Sequence, residues 1–141
     1  MRSSDSHPAA AGRGRAWLAV AALTGLTAVA IGAAASHLLG ALPGDRAGWI
    51  DTALQYQMLH AAALLAVAIL AAGRGARLLD LAGLCFVGGL LVFSGLLYAM
   101  GLGGPRWLGA VVPLGGLSYM AGWAALLLHA LRAPHLVGAG R

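Results

Sequence analysis

Four runs of apolar residues, each long enough to cross a bilayer, take up nearly all of this 141-residue chain. They lie at about 16–42, 52–72, 78–103 and 107–131. A helix rises ~1.5 Å per residue, so about 20 apolar residues cross a hydrocarbon core of ~30 Å. Lipid offers no partner to backbone N–H and C=O groups, which leaves only helices and closed barrels as spanning structures. The runs are rich in Ala and Leu and lack the two-residue alternation of a barrel strand. The expected fold is therefore all-α, an integral membrane bundle of four transmembrane helices. Composition agrees: 60% of residues are hydrophobic and 9% charged, against about 25% charged in an ordinary soluble domain.

The breaks between the runs are short. Residues 1–15 (MRSSDSHPAAAGRGR) are small, polar and Arg-bearing, and read as a disordered cytoplasmic tail. Pro43, Gly44, Asp45 and Arg46 follow the first run, GRGAR at 73–77 the second and GGPR at 103–106 the third. Arg132 and Pro134 end the fourth, which leaves a short C-terminal tail at 133–141 and one transmembrane domain at 16–132. Pro113 lies in the first two turns of the fourth run, where it either kinks the helix or separates an interfacial turn from the span. Arg13, Arg15 and GAAAS at 32–36 have the outline of a cleaved signal peptide. The apolar stretch far exceeds the ~7–15 residues of a signal core, so a retained first helix is expected.

The net charge of +5 comes from nine Arg, with no Lys and no Glu in the chain. These Arg stand singly or in small groups between apolar runs, which excludes a nucleic-acid-binding surface and suits orientation in a membrane. Seven of them, Arg2, Arg13, Arg15, Arg74, Arg77, Arg132 and Arg141, fall on one side; Arg46 and Arg106 fall on the other. The positive-inside rule then predicts a multi-pass protein of the cell (inner) membrane with both termini cytoplasmic. Cys85 is the single cysteine and lies inside an apolar run, so the chain has no internal disulfide.

Helices in lipid associate through close backbone approach and a few polar contacts. Gly25, Gly32, Ser36 and Gly40 project as one stripe on the first helix. Gly115, Ser118, Gly122 and Ala125 follow a 3-4-3 spacing on the fourth, and Gly88 and Gly95 stand a heptad apart on the third. These are the expected packing positions.

His60 is the most informative polar residue. It lies about 12 Å into the membrane at ~1.5 Å per residue, with Tyr56 one turn earlier on its face and Gln57 flanking it. Asp51 and Gln55 form an i,i+4 pair on the opposite face. His37 stands near the outer end of the first helix, Ser94 and Tyr98 share a face of the third, and Ser118 is near mid-depth on the fourth. With alternating helix directions, His37, Tyr56, His60, Ser94, Tyr98 and Ser118 fall in the outer half of the membrane. Facing lipid would be costly for them, so they are expected to turn inward and meet, with both histidines inside the bundle and a neighbour bonded to His60. Buried histidines and tyrosines most often hydrogen-bond to one another and lock a bundle. The sharper alternative is a titrating imidazole that relays a proton or holds a ligand. Two histidines without a third ligand make no metal motif, and there is no nucleophile–base set, phosphate loop or cofactor attachment site. No metal, no cofactor and no enzymatic activity are expected.

The blocks GAAASH at 32–37, GWIDTALQYQMLHAAALL at 48–65, LVFSGLLY at 91–98 and PLGGLSYMAGW at 113–123 resemble, in order and spacing, the YgdD-like family of small membrane proteins. This is domain-of-unknown-function family 423, related to the transmembrane protein 256 group. The resemblance implies four membrane helices with a retained first helix and implies no biochemical activity. Some relatives carry an acidic residue where this chain has Gln55, and hydroxyls where it has Leu96 and Val112. A proton relay through those positions therefore does not carry over. Two function classes remain. One is a structural or accessory membrane subunit that packs in the bilayer with itself or a larger complex. The other is binding or transport of a small ligand or proton through an outward-facing polar pocket around His37 and His60.

Overall fold

A computed structural model describes residues 7–38, 40, 42–73 and 77–132. Five α-helices form four spans: α1 (His7–Leu38), α2 (Arg46–Gly73), α3 (Arg77–Gly89) continued by α4 (Gly95–Gly101), and α5 (Val112–Arg132). A π-helical turn, Leu90–Ser94, joins α3 to α4, and a 3-10 turn, Arg106–Ala110, precedes α5. The chain is a four-helix integral membrane protein, since each span is long and apolar enough to cross a bilayer.

α1 starts inside the stretch expected to be a disordered tail. Pro8 stands in its first turn, where no intrahelical N–H is required, and three alanines follow. Residues 1–6, Arg74 and 133–141 lie outside the described residues. The loop before α2 turns at Gly44, whose φ of 61° suits a residue without Cβ. α4 ends in a Schellman motif: Gly104 N–H donates to the Ala99 carbonyl and Gly103 N–H to that of Met100, with Gly103 at φ 105°. Pro105 then blocks further helix. Of the two roles open to Pro113, the structure has the second. The 3-10 turn is separated from the span, and Pro113 sits in the first turn of α5, where its missing N–H costs nothing.

α2 is the central element. It packs along α1 on one side and against α3, the π turn and α4 on another, while α5 packs on α3 and the π turn. The main core joins Leu64, Val67 and Ala71 of α2 with Leu79, Ala82 and Phe86 of α3 and Tyr119 and Ala125 of α5.

The seam of α1 differs from the expected one. Its buried residues are Gly14, Ala21, Ala28 and Ala35, a strict heptad of small side chains. A Cβ on Gly14 would lie 2.7 Å from the Ala72 Cβ, so α1 and α2 touch almost backbone to backbone there. Of the expected stripe, only Gly32 reaches α2, with Leu54 3.4 Å from the place of its Cβ. Gly25 and Gly40 face open space. Ser36 is exposed and bonds back to the Ala33 carbonyl of its own helix. In so Ala-rich a helix, Ala is small enough to make the seam, and the glycines fall beside it. On α5, Gly115 lies against the Phe93 backbone and Gly122 against the Phe86 ring, where a Cβ would fall 2.5 Å from the ring edge. Ala125 is buried in the main core.

Candidate functional site

His60 is the anchor of the bundle's polar interior. It sits in the middle of α2, is 1% exposed, and has both ring nitrogens engaged. The Tyr56 carbonyl can only accept, so Nδ1 carries the hydrogen of the 2.8 Å bond between them. The Trp123 indole can only donate, so Nε2 offers its lone pair to the 3.3 Å bond from Trp123 Nε1. Together these contacts define the neutral Nδ1–H tautomer. The Tyr119 ring lies flat on the imidazole, with centroids 3.6 Å apart and planes 11° from parallel. Phe86 approaches it at 5.4 Å. A proton added at Nε2 would meet the Trp123 N–H head-on.

Gln57, one helical turn before His60, makes the second knot. Tyr98 OH donates to its Oε1 at 2.7 Å, and its Nε2 donates to the Thr24 carbonyl at 3.0 Å and to Thr27 Oγ1 at 2.9 Å. One amide thus ties α2 to α1 and α4. Thr24 and Thr27 return their own hydroxyl protons to carbonyls one turn back on α1.

Ser94, the last residue of the π turn, is 2% exposed and shares a 3.1 Å bond with Tyr119 OH. Ser118 donates to the Cys85 carbonyl at 2.7 Å and so pins α5 to α3. Tyr56 is 40% exposed. Its ring packs on Phe93, and it reaches His60 through its carbonyl and a stack at 6.1 Å. His37 does not join the group: it lies exposed in the last turn of α1, which corrects the expectation that it points inward. The seam of α1 explains this, because Ala35 takes the place against α2 and turns His37 outward. Asp51 and Gln55 pair at 2.7 Å on an exposed face, and Arg106 bonds Asp45 at 3.3 Å on the same end of the bundle.

Three essential members, Gln57, Tyr119 and Trp123, were not among the sequence candidates. Gln57 stands i−3 from His60, which places it on nearly the same face. Tyr119 and Trp123 are one turn apart and interleave with Gly115 and Gly122. An aromatic with a polar tip, set among small residues in mid-span, needs a buried partner for that tip. Among the described residues, no three His, Cys, Asp or Glu cluster as metal ligands, and every buried side-chain polar atom has a partner.

The architecture thus defines a small four-helix integral membrane protein with a hydrogen-bonded polar core. Residues 31–116 match the family model described as a protein of unknown function, DUF423, and the chain belongs to that family. It is 37% identical over 119 residues to the UPF0382 inner membrane protein YgdD of Escherichia coli, covering 84% of this chain and 91% of that one. A UPF0382 membrane protein of Haemophilus influenzae is 40% identical over 111 residues, covering 78% and 89%. The UPF0382 membrane protein YwdK of Bacillus subtilis is 33% identical over 122 residues, covering 84% and 98%. No solved structure matches the chain.

Proposed function

We propose that this protein is a structural or accessory subunit of the cell inner membrane, without catalytic activity of its own, that acts through its helical surfaces. One observation carries this reading: His60, the residue best suited to proton or ligand chemistry, is fully engaged as a neutral imidazole between Tyr56, Trp123 and Tyr119. A group so enclosed rigidifies a bundle and offers nothing to an outside ligand. The reading that joins His37 and His60 in an outward-facing pocket loses its support, since His37 is exposed on a separate part of α1. The outer surfaces of α1 and α5, by contrast, carry large apolar side chains such as Leu26, Val29, Met120 and Leu131.

Both termini face the cytoplasm in this proposal. Arg13, Arg15, Arg77 and Arg132 gather at one end of the bundle, and Arg46 and Arg106 at the other. The positive-inside rule assigns the first end to the cytoplasm.

The test is site-specific photocrosslinking in living cells, with the reactive residue at Leu26, Val29, Met120 or Leu131. Discrete protein adducts from one face, whether with a second copy or with another membrane protein, support the subunit reading. Lipid adducts alone at all four positions overturn it.

A further inference from the structure

We propose that a cleft between α1 and the third span binds an uncharged lipophilic carbonyl compound of the quinone class, drawn sideways from the membrane interior, with Ser94 donating to its carbonyl oxygen. Three observations place such a site. The first is the opening itself. α1 packs along α2 and is tied to α3 at Trp17, whose Nε1 donates to Asp80 at 2.9 Å and whose indole fills the space over Gly83. Further along, α1 does not close on the third span. The result is a cleft of about 340 Å³ walled by side chains such as Val20, Leu23, Val87 and Leu91, within the size range of small-molecule sites.

The second observation is a hydrogen-bond donor left over at the cleft wall. Ser94 and Tyr119 bring two hydroxyl protons to one mutual bond. Among the described residues, the second proton has no acceptor. Ser94 lines the cleft while Tyr119 is enclosed in the core, so the arrangement that serves both is Tyr119 donating to Ser94 and Ser94 donating into the cleft. The other polar atoms nearby are already matched: Gln57 gives its N–H groups to Thr24 and Thr27 and accepts from Tyr98. The free group is thus a single donor, which calls for an acceptor such as a carbonyl oxygen.

The third observation is depth. Ser94 stands seven residues before the end of the third span, about 10 Å inside it at ~1.5 Å per residue. Charged and zwitterionic headgroups stay in the interface outside the ~30 Å hydrocarbon layer, so a phospholipid could lay an acyl chain in the cleft but would not bring a carbonyl to Ser94. A molecule dissolved in the membrane interior meets both demands, with an apolar body for the walls and a neutral carbonyl for the hydroxyl. Ser94 ends the π turn, bonds Tyr119 of the core and lines the cleft.

The test uses the full chain in lipid nanodiscs with a diazirine-bearing decyl-benzoquinone as probe, and peptide mapping of the adducts. Labelling is expected on Leu23, Val87 or Leu91 and to be suppressed by excess unlabelled decyl-benzoquinone. Ser94→Ala should weaken competition about 3- to 10-fold, the worth of one hydrogen bond, and Ser94→Thr should restore it. Leu23→Trp, which narrows the mouth without touching the hydroxyl pair, should abolish labelling even if Ser94→Ala proves poorly folded. Equal competition by decylbenzene, which has no carbonyl, would overturn the proposal. So would displacement of the probe by phosphatidylcholine, or adducts spread evenly over the lipid-facing surface.

Discussion

His60 shows how one residue sets the character of a membrane core. Its ring is held edge-on by Tyr56 and Trp123 and face-on by Tyr119, so it can neither rotate nor reach water without breaking all three contacts. Trp123→Phe keeps the ring packing but leaves Nε2 without a donor. We expect a loss of about 1 kcal/mol, read as a lower midpoint in a thermal melt in detergent, and no loss of helicity. His60→Leu should cost more, because it also removes the face that Tyr119 stacks on. Gly122→Leu, which would drive a side chain into the Phe86 ring, should prevent a stable fold, whereas Ala124→Leu on the exposed side of α5 should melt within a degree or two of the parent. Equal stability of these two variants would contradict the packing described. His60, Ser94 and Tyr98 were legible in the sequence, since polar groups inside apolar runs are conspicuous. Gln57 stands out in the sequence only as a flank of His60, although it bonds partners on two other helices. Tyr119 and Trp123 are less conspicuous, because an aromatic in a membrane span is at home in lipid as well as in a core, and only their place among Gly115 and Gly122 points inward.

At the scale of the elements, the third span is the least regular. Its buried residues run Leu79, Ala82, Gly83, Phe86 and Gly89 through α3, then skip to Ser94, Leu97, Met100 and Gly101. The step of five from Gly89 to Ser94 is the π turn, one residue more than an α-turn needs. An apolar run gives no sign of it, because Leu90, Leu91, Val92 and Phe93 would suit either register. Deleting Val92 should restore a continuous α-helix and leave α4 in register, with Tyr98 still against Gln57, because the π turn already absorbs the one extra residue. Cysteines at Ala53 and Leu97, which share one cluster, should cross-link in a Cys85→Ala background both with Val92 present and with it deleted. Loss of the cross-link on deletion would show that the turn does more than absorb one extra residue. Helix existence and number were legible from run length alone. The seam of α1 was not, because Gly and Ala are both small enough to pack, and in this helix their spacings mark different faces.

The four spans alternate in direction, so the start of α1 and the end of α5 stand at the same end of the bundle. With the Arg-rich end in the cytoplasm, a phosphatase fused after Arg132 should be inactive and one inserted at Gly44 active. The reverse pattern would invert the orientation. The tie between α1 and α2 has a further consequence for how the protein is made. Gln57 meets Thr24 and Thr27, and Gly14 meets Ala72, entirely within the first two spans; only Tyr98 arrives from later in the chain. When the ribosome has synthesised residue 73, the first hairpin already holds nearly all of its own interhelical contacts. It can leave the insertion machinery as a paired unit and wait in the bilayer, with Gln57 Oε1 open for Tyr98 of the third span and His60 Nε2 for Trp123 of the fourth.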